Sequence, residues 1–426
     1  MNLAARDHAV IWHPFTQQKN RPHPIPIVKA RGSLLYGENG QTYIDAISSW
    51  WVTLHGHAHP YIAEKIYQQA LELEQVIFAG FTHEPAVALA ERILPKLPGN
   101  FSRVFYSDNG STSTEVALKM AIQFWWNQKQ PQRNKILAFR NAYHGDTFGA
   151  MSVSDRSVFT LAFHDLLFEV LFIDTPTTDN IQSLQNLIAE QGDTIAAFIY
   201  EPLVQGAGGM KMYDAKPMDM LMSNIRDAGI ICIADEVMTG FGRTGKLFAS
   251  SYLAQSPDII CLSKGLTGGT MALGITACND SIYQAYVTDD KYQTFFHGHS
   301  FTANPIACTA ALASLDLLEN TDCALSIDRI SESNQVFATE LKSYPQLKQL
   351  RQLGTILAFE IAQGKDEYLN NLSPMITDLA LAEGVYLRPL GNTVYLMPPY
   401  CITEEELQRI YEVIRLLLAK ITSRNG

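Results

Sequence analysis

The 426-residue sequence predicts an α/β protein: a mainly parallel sheet flanked by helices, joined to a smaller α+β domain. Three observations carry this. Between residues 60 and 320, short apolar runs alternate with amphipathic stretches of helical length. The runs are rich in β-branched residues and do not alternate polar with apolar, as expected of strands buried on both faces. Glycine-rich or small-residue turns bearing reactive side chains follow several of the runs, at the carboxyl edge where such sheets bind ligands.

In order, residues 1–50 are irregular and proline-rich (Pro14, Pro22, Pro24, Pro26), with hairpin-like strands at Ser33–Tyr36 and Thr42–Ile44 flanking Gly37-Glu38-Asn39-Gly40. Further strands are expected at Arg103–Tyr106, Lys135–Phe139, Ala196–Tyr200, Ile230–Ala234, Ile259–Leu262 and Gly274–Cys278. From 321 onward, amphipathic helices alternate with strands at Leu357–Ile361 and Thr393–Met397. The predicted division is an N-terminal segment, 1–50, contributing to the small domain, a large domain, 51–320, and the C-terminal part of the small domain, 321–426.

Composition narrows the function classes. A hydrophobic fraction of 47% supports a large core, and a net charge of −11 argues against nucleic acid or an anionic membrane as partner. No run of 18 apolar residues exists, so no span is expected. Met1 to Phe15, with Arg6, Asp7, His8 and His13, lacks a signal-peptide core. Six scattered cysteines without a Cys-x-x-Cys read as reduced core thiols, and the expected compartment is the cytoplasm.

The chemistry concentrates between Ile230 and Lys264. One apolar run closes on Asp235-Glu236; a second, Asp258 to Ser263, delivers Lys264. A carboxylate and a lysine at two strand ends, close to one βαβ unit in spacing, suit pyridoxal phosphate chemistry. The carboxylate keeps the pyridine nitrogen protonated and the lysine holds the aldehyde. Turn-capping by Asp235 and a solvated Lys264 are the plain alternative. Between them, Gly240-x-x-x-x-Gly245-Lys246 copies most of a P-loop, but Leu247 stands where a magnesium-binding Ser or Thr belongs, which leaves a nucleoside triphosphatase as a distant alternative.

Other stretches add parts. Arg103–Tyr106 runs into Asp108-Asn109-Gly110-Ser111-Thr112 and a long helix, with Thr112-x-x-Glu115 read as its capping box. A helix N-terminus beside Ser111 and Thr112 hydroxyls is an anion seat or a plain cap. Lys135–Phe139 leads to Tyr143-His144-Gly145-Asp146, where a tyrosine can lie flat over an aromatic ring. Ala196–Tyr200 ends in Glu201-Pro202 before a glycine-rich turn. Trp50-Trp51 reads as a buried pair, or as an extended step with one ring in the core and one in a cleft. His55-x-His57-x-His59 and His297-Gly298-His299 lack the companions of a metal site, and no metal is expected.

These motifs in this order resemble class III aminotransferases of pyridoxal phosphate fold type I, over essentially the whole chain. The carriers are Asp108 to Ser111, Tyr143-His144-Gly145, Glu201-Pro202, Asp235-Glu236, Gly240 to Gly245 and Ser263-Lys264-Gly265. Within the class, Trp12-His13-Pro14, Ser48 to Trp51, Tyr143 to Thr147, Arg388 to Gly391 and Met397 to Tyr400 are similar to the biotin-pathway branch. The resemblance implies Lys264 as the lysine that holds pyridoxal 5'-phosphate and moves protons, and Asp235 as the partner of its ring nitrogen. It implies Gly110 and Ser111 on the phosphate, Tyr143 on the ring, and Ser300 reaching the phosphate of a partner subunit, hence a homodimer with shared active sites. It further implies Trp50, Trp51 and Gly298 at the substrate and Arg388 on its distal carboxylate. The reaction implied is conversion of 8-amino-7-oxononanoate to 7,8-diaminononanoate, with S-adenosyl-L-methionine or lysine as donor. Two departures bear on the donor. Phe15 stands where many S-adenosylmethionine users carry Tyr, and His299-Ser300 replaces a Pro-Thr pair. Another ω-amino acid aminotransferase, with Glu201 and Arg388 as a gated pair, is the same-class alternative.

Overall fold

The computed structural model describes residues 2–19, 23–362, 369 and 372–423; Pro22 lies outside them. The N-terminal segment is less irregular than expected. It opens with a helix, Leu3–Val10, and forms β1 (Ile27–Arg31), β2 (Leu34–Gly37) and β3 (Thr42–Asp45), paired antiparallel in that order. Helices Pro60–Glu72 and Glu84–Ile93 follow, each with proline in its first turn, where the missing N–H does no harm.

The large sheet is built from β4 (Phe101–Ser107), β5 (Lys135–Phe139), β6 (Val170–Ile173) and β7 (Ile195–Tyr200). A short hairpin of β8 (Val204–Gln205) and β9 (Lys211–Met212) intervenes. β10 (Ile231–Asp235), β11 (Ile259–Leu262) and β12 (Gly274–Asn279) complete the sheet, in the order β4-β12-β11-β10-β7-β5-β6. All neighbours are parallel except β12, which runs against both β11 and β4. β7, β10 and β11 are buried along their whole length, the reason their sequences are unbroken apolar runs. Each fully buried isoleucine there contributes roughly 1.5–3 kcal/mol, so the strand ends that carry Asp235 and Lys264 rest on a stiff support.

The expected βαβ spacing between those two strands is not met. Among the described residues the link from β10 to β11 holds only a short 3-10 turn, Ala249–Tyr252, and no α-helix. Arg243 explains the glycine-rich loop. Its side chain is fully buried and donates to the carbonyls of Pro398, Trp51 and Thr53. Lys246, the P-loop-like lysine, instead donates to the Ser251 carbonyl and lies over Tyr252. The loop is a clamp on the chain at 51–53 and 398, not a phosphate cradle. Arg243→Ala is expected to lower stability by about 3 kcal/mol, because three buried carbonyls lose their donor; a urea midpoint within error of the parent protein would refute the clamp.

The C-terminal part holds helices Thr321–Leu341, Leu372–Ala382 and Glu404–Ser423. It also holds a three-stranded antiparallel sheet of β13 (Leu347–Leu353), β14 (Ile356–Ile361) and β16 (Thr393–Leu396). β15 (Val385–Tyr386) leaves it and pairs parallel with β3, so the first and last parts of the chain share a sheet.

Candidate active site

β10 and β11 are parallel neighbours, with Asp235 beside Cys261 in register. Asp235 therefore ends one strand and Lys264 follows the end of the next. Both line one cavity of about 630 Å³, together with Trp51, Asp108 to Ser111, Tyr143 to Thr147 and Glu201. A cavity of this size suits a small cofactor and its substrate.

Lys264 leaves β11 with a left-handed backbone, φ 46°. That conformation costs a non-glycine residue about 1–2 kcal/mol, a strain typical of residues held for a task. Its Nζ stands 4.8 Å from the centroid of Trp51. Among the described residues no carboxylate lies within ion-pair distance of Nζ. Burial lowers its pKa from the usual 10.5, outweighing the opposing pull of Asp235, Glu201 and Asp146. A lysine so placed yields its neutral, nucleophilic form more readily.

Asp235 is buried. Its Oδ2 lies 2.7 Å from Nδ1 of His144 and its Oδ1 accepts the Val237 amide at 3.0 Å. An ionised carboxylate only accepts, so the imidazole donates from Nδ1. His144 Nε2 is buried and has no partner among the described residues. The residue entered the sequence reading only as part of a motif, and a partner 91 residues away left no local signal.

The anion seat differs in detail from expectation. The helix Gly110–Asn127 is capped by Asn109, whose side chain accepts from the Thr112 amide while the Thr112 hydroxyl accepts from the Asn109 amide. Thr112 is thus the last residue of the capping box rather than its start, and its hydroxyl is engaged at Asp108 as well. Glu115 turns away to accept the amides of Gly149 and Ala150. The Gly110 and Ser111 amides keep no acceptor among the described residues, and the helix is long enough for its dipole to favour a phosphate there. Glycine is required nearby: a Cβ on Gly110 would meet Val237 Cγ1 at 2.7 Å, and one on Gly145, φ 134°, would meet Ser111 Oγ at 2.1 Å. Free amides, a carboxylate at a strand end and a lysine beside it make a donor set that fits pyridoxal phosphate.

The tryptophan pair departs from the extended step expected. Ser48, Ser49 and Trp51 all have positive φ, and both rings border the cleft. Trp51 is buried and its indole N–H donates to the Tyr395 hydroxyl at 2.9 Å. Trp50 is 38% exposed, with the Arg388 guanidinium 4.6 Å from its ring centroid and Phe15 edge-on at 5.4 Å. These residues, with Phe159, Leu390 and Tyr395, form an adjoining cleft of about 270 Å³ that opens onto Lys264 and Tyr143. Phe159 and Tyr395 were not singled out in the sequence, and Leu390 was read only within the Arg388 motif. Tyr395 lies in the expected strand Thr393–Met397 just after that motif, which was the available clue.

Tyr143 lines the same cavity; burial, with Asp146 beside it, raises its pKa. Glu201 does not pair with Arg388, contrary to the gated alternative. Its two oxygens accept the amides of Tyr143 at 3.1 Å and Gly206 at 2.8 Å. Gly298 and Ser300 lie outside the cavity within one chain; both are exposed, and the Ser300 carbonyl accepts from Gln75. His55 contacts Ser314 and His57 contacts Asp45, which accounts for two of the three clustered histidines.

Comparison with known proteins agrees with this geometry. Residues 15–418 match the family Aminotransferase class-III. The chain is 47% identical to the adenosylmethionine-8-amino-7-oxononanoate aminotransferase of Synechococcus elongatus, covering 97% of this chain and 99% of that one. The enzyme of the same name from Helicobacter pylori is 38% identical, covering 96% and 95%. Among solved structures, the adenosylmethionine-8-amino-7-oxononanoate aminotransferase of Methanocaldococcus jannaschii superposes with a TM-score of 0.93 at 31% identity, covering 98% of each chain. An omega transaminase from Pseudomonas jessenii in complex with PMP gives 0.93 at 25% identity, covering 99% of each. By sequence and by fold, the chain belongs to the class-III aminotransferase family.

Proposed function

We propose that the chain transfers an amino group to 8-amino-7-oxononanoate, giving 7,8-diaminononanoate for biotin synthesis, with S-adenosyl-L-methionine as donor and pyridoxal 5'-phosphate as cofactor. The observation that carries the reading is the meeting of Asp235, Lys264 and the Gly110–Ser111 amides in one cavity, beside a cleft that ends in an arginine. The shared name of relatives up to 47% identical supports the substrate.

When bound, the cofactor supplies an electron sink and a carbonyl that carries the amino group between substrates. Lys264 would hold that carbonyl, and its amine, whose pKa burial lowers, would move the proton that the exchange requires. Asp235, hydrogen-bonded to His144, would face the ring nitrogen. Gly110 and Ser111 would bind the phosphate, and Tyr143 would flank the ring. Trp50 and Trp51 wall the substrate cleft and exclude water, and Arg388 clamps the distal carboxylate, for which a guanidinium fork is suited. Among the described residues Arg388 has no competing carboxylate. Both substrates use one site in turn, so the kinetics are ping-pong.

Gly298 and Ser300 act in this reading from the partner subunit of a homodimer. Support comes from exposed Ile77, Phe81, Phe296 and Phe301 around the Gln75–Ser300 contact, an apolar surface suited to a second copy. The large lobe, 51–320, would carry the cofactor and the small one the Arg388 wall. Six cysteines without a disulfide suit the reducing cytoplasm, and no described helix is long and apolar enough to cross a membrane. Phe15 brings no hydroxyl to the donor, which keeps lysine as the second reading.

The deciding experiment is a spectroscopic half-reaction. The amino-loaded enzyme should return to its resting spectrum on addition of 8-amino-7-oxononanoate, and S-adenosylmethionine should load it. A response to 2-oxoglutarate alone would overturn the substrate, and loading by lysine alone would replace the donor. Arg388→Ala is expected to lower kcat/KM for the keto acid by about 1.5–3 kcal/mol, roughly 10- to 100-fold. An equal loss for the donor would show that Arg388 is not the distal clamp.

A further inference from the structure

Among the described residues no carboxylate reaches Nζ of Lys264, but an aromatic face does. The nitrogen stands over the indole of Trp51, 4.8 Å from the ring centroid, inside the roughly 6 Å over which such a face attracts a cation. The attraction is strongest for tryptophan and grows as water is removed. Trp51 is buried, and Lys264 is half-buried in the cavity wall.

The indole is not free to turn. Its N–H donates to the hydroxyl of Tyr395, on β16, at 2.9 Å, and the tyrosine ring meets it edge-on at 6.1 Å. A Cβ on Gly206 would lie 3.4 Å from Trp51 Cζ3, so bare backbone packs against the same ring. The Trp51 amide donates to the Ile47 carbonyl, and Arg243 donates to the Trp51 carbonyl. Titratable groups face Lys264 from every side of the cavity: Asp108 after β4, Tyr143, His144 and Asp146 after β5, Glu201 after β7 and Asp235 on β10, with Arg388 in the adjoining cleft. Their pull is spread around the walls, whereas the contact with Trp51 is direct.

We propose that the face of Trp51 is the seat of the free Lys264 nitrogen, holding it as an ammonium whenever the lysine is released, and that Tyr395 is a positioning residue that keeps the indole turned to it. The inference rests on the cofactor-dependent reading and deepens it. Lys264 and Trp51 both line the cavity and the cleft, so a nitrogen held on this ring stays at their junction. Burial works against the ammonium, and the ring opposes burial without bringing a charge of its own. A proton kept by a neutral ring is given up more easily than one locked in a buried ion pair.

The test titrates Lys264 in the amino-loaded enzyme, where the lysine is free. Acetic anhydride is pulsed across pH and acetylation is read at the Lys264 peptide by mass spectrometry; only the neutral amine reacts. Trp51→Leu should lower the midpoint by about half a pH unit or more, roughly a threefold loss of proton affinity. A ring that only excludes water predicts the opposite sign, because its removal lets water solvate the ammonium and raises the midpoint. Trp51→Phe, with a weaker face, should fall between parent and Trp51→Leu. Tyr395→Phe, which removes the acceptor of the indole N–H and keeps the ring, should shift the midpoint down by a smaller amount. Trp50→Leu, whose ring faces Arg388, should not move it. An unchanged or raised midpoint in Trp51→Leu, or an equal drop in Trp50→Leu, overturns the proposal, and an unmoved Tyr395→Phe removes the positioning role. Should Trp51→Leu fail to fold, Trp51→Phe decides by the same sign. Failure of every donor to load the enzyme would instead strike the cofactor reading, and the same titration on the unloaded protein would then decide the seat.

Discussion

Lys264→Ala is expected to abolish turnover, by at least about a thousandfold in kcat, while the protein still binds pyridoxal phosphate through the Gly110–Ser111 amides and Asp235. Among the described residues no second amine lines the cavity to take its place: the remaining titratable lining is Asp108, Asp146, Glu201, Asp235, Tyr143 and His144. A stability change should accompany the loss. Burial depresses the lysine pKa in the folded state, so the ammonium form works against folding at all pH values below that depressed value. The penalty fades as pH rises to the unfolded value near 10.5. Cofactor-free Lys264→Ala should therefore melt higher than the parent at neutral pH, with the advantage vanishing as pH approaches 10.5. Near-parental turnover would refute the assigned role; a lower melting temperature at neutral pH would refute the burial argument alone.

Asp235→Asn is expected to reduce kcat by about a hundred- to a thousandfold, the usual scale for losing one preorganised electrostatic partner in a buried site. The shape of the site is kept, but the carboxylate that faces His144 and, in the proposed reaction, the ring nitrogen is gone. The imidazole, fully buried, would have to find an acceptor in an amide oxygen at the same 2.7 Å position. Measured by single-turnover kinetics, both half-reactions should fall together, because both use the same ring. A loss confined to one half-reaction would place Asp235 on a substrate instead.

The sequence was most legible where burial is complete on both faces. β7, β10 and β11 are unbroken apolar runs, and their ends carry the reactive groups, so fold class and site were readable together. Reading failed where the pattern is ambiguous. β13, Leu347–Leu353, places leucines at 347, 350 and 353, a helical spacing, yet pairs with β14 across an irregular register between Lys348 and Arg351. β6 is a four-residue edge strand, too short to stand out. The helix cap was misjudged by three residues, since Asn109 and Thr112 both have capping side chains and only geometry decides. The tryptophan pair was recognised, but its left-handed backbone was not, because nothing in Ser48-Ser49-Trp50-Trp51 demands positive φ; contacts with Asp45 and Met397 impose it.

Those contacts also set the order in which the enzyme can be assembled. Trp51 is bonded to a tyrosine 344 residues downstream, and Ser48 to a carbonyl 349 residues downstream. During synthesis, the strands bearing Asp235 and Lys264 leave the ribosome well before the C-terminal strands that finish the cleft. The nascent chain thus displays a half-built pocket with an unclosed aromatic wall. Closing so long a loop is slow on entropic grounds and exposes apolar surface meanwhile. Chaperone demand during synthesis should accordingly be governed by the last strands to emerge, rather than by the sheet that carries the chemistry.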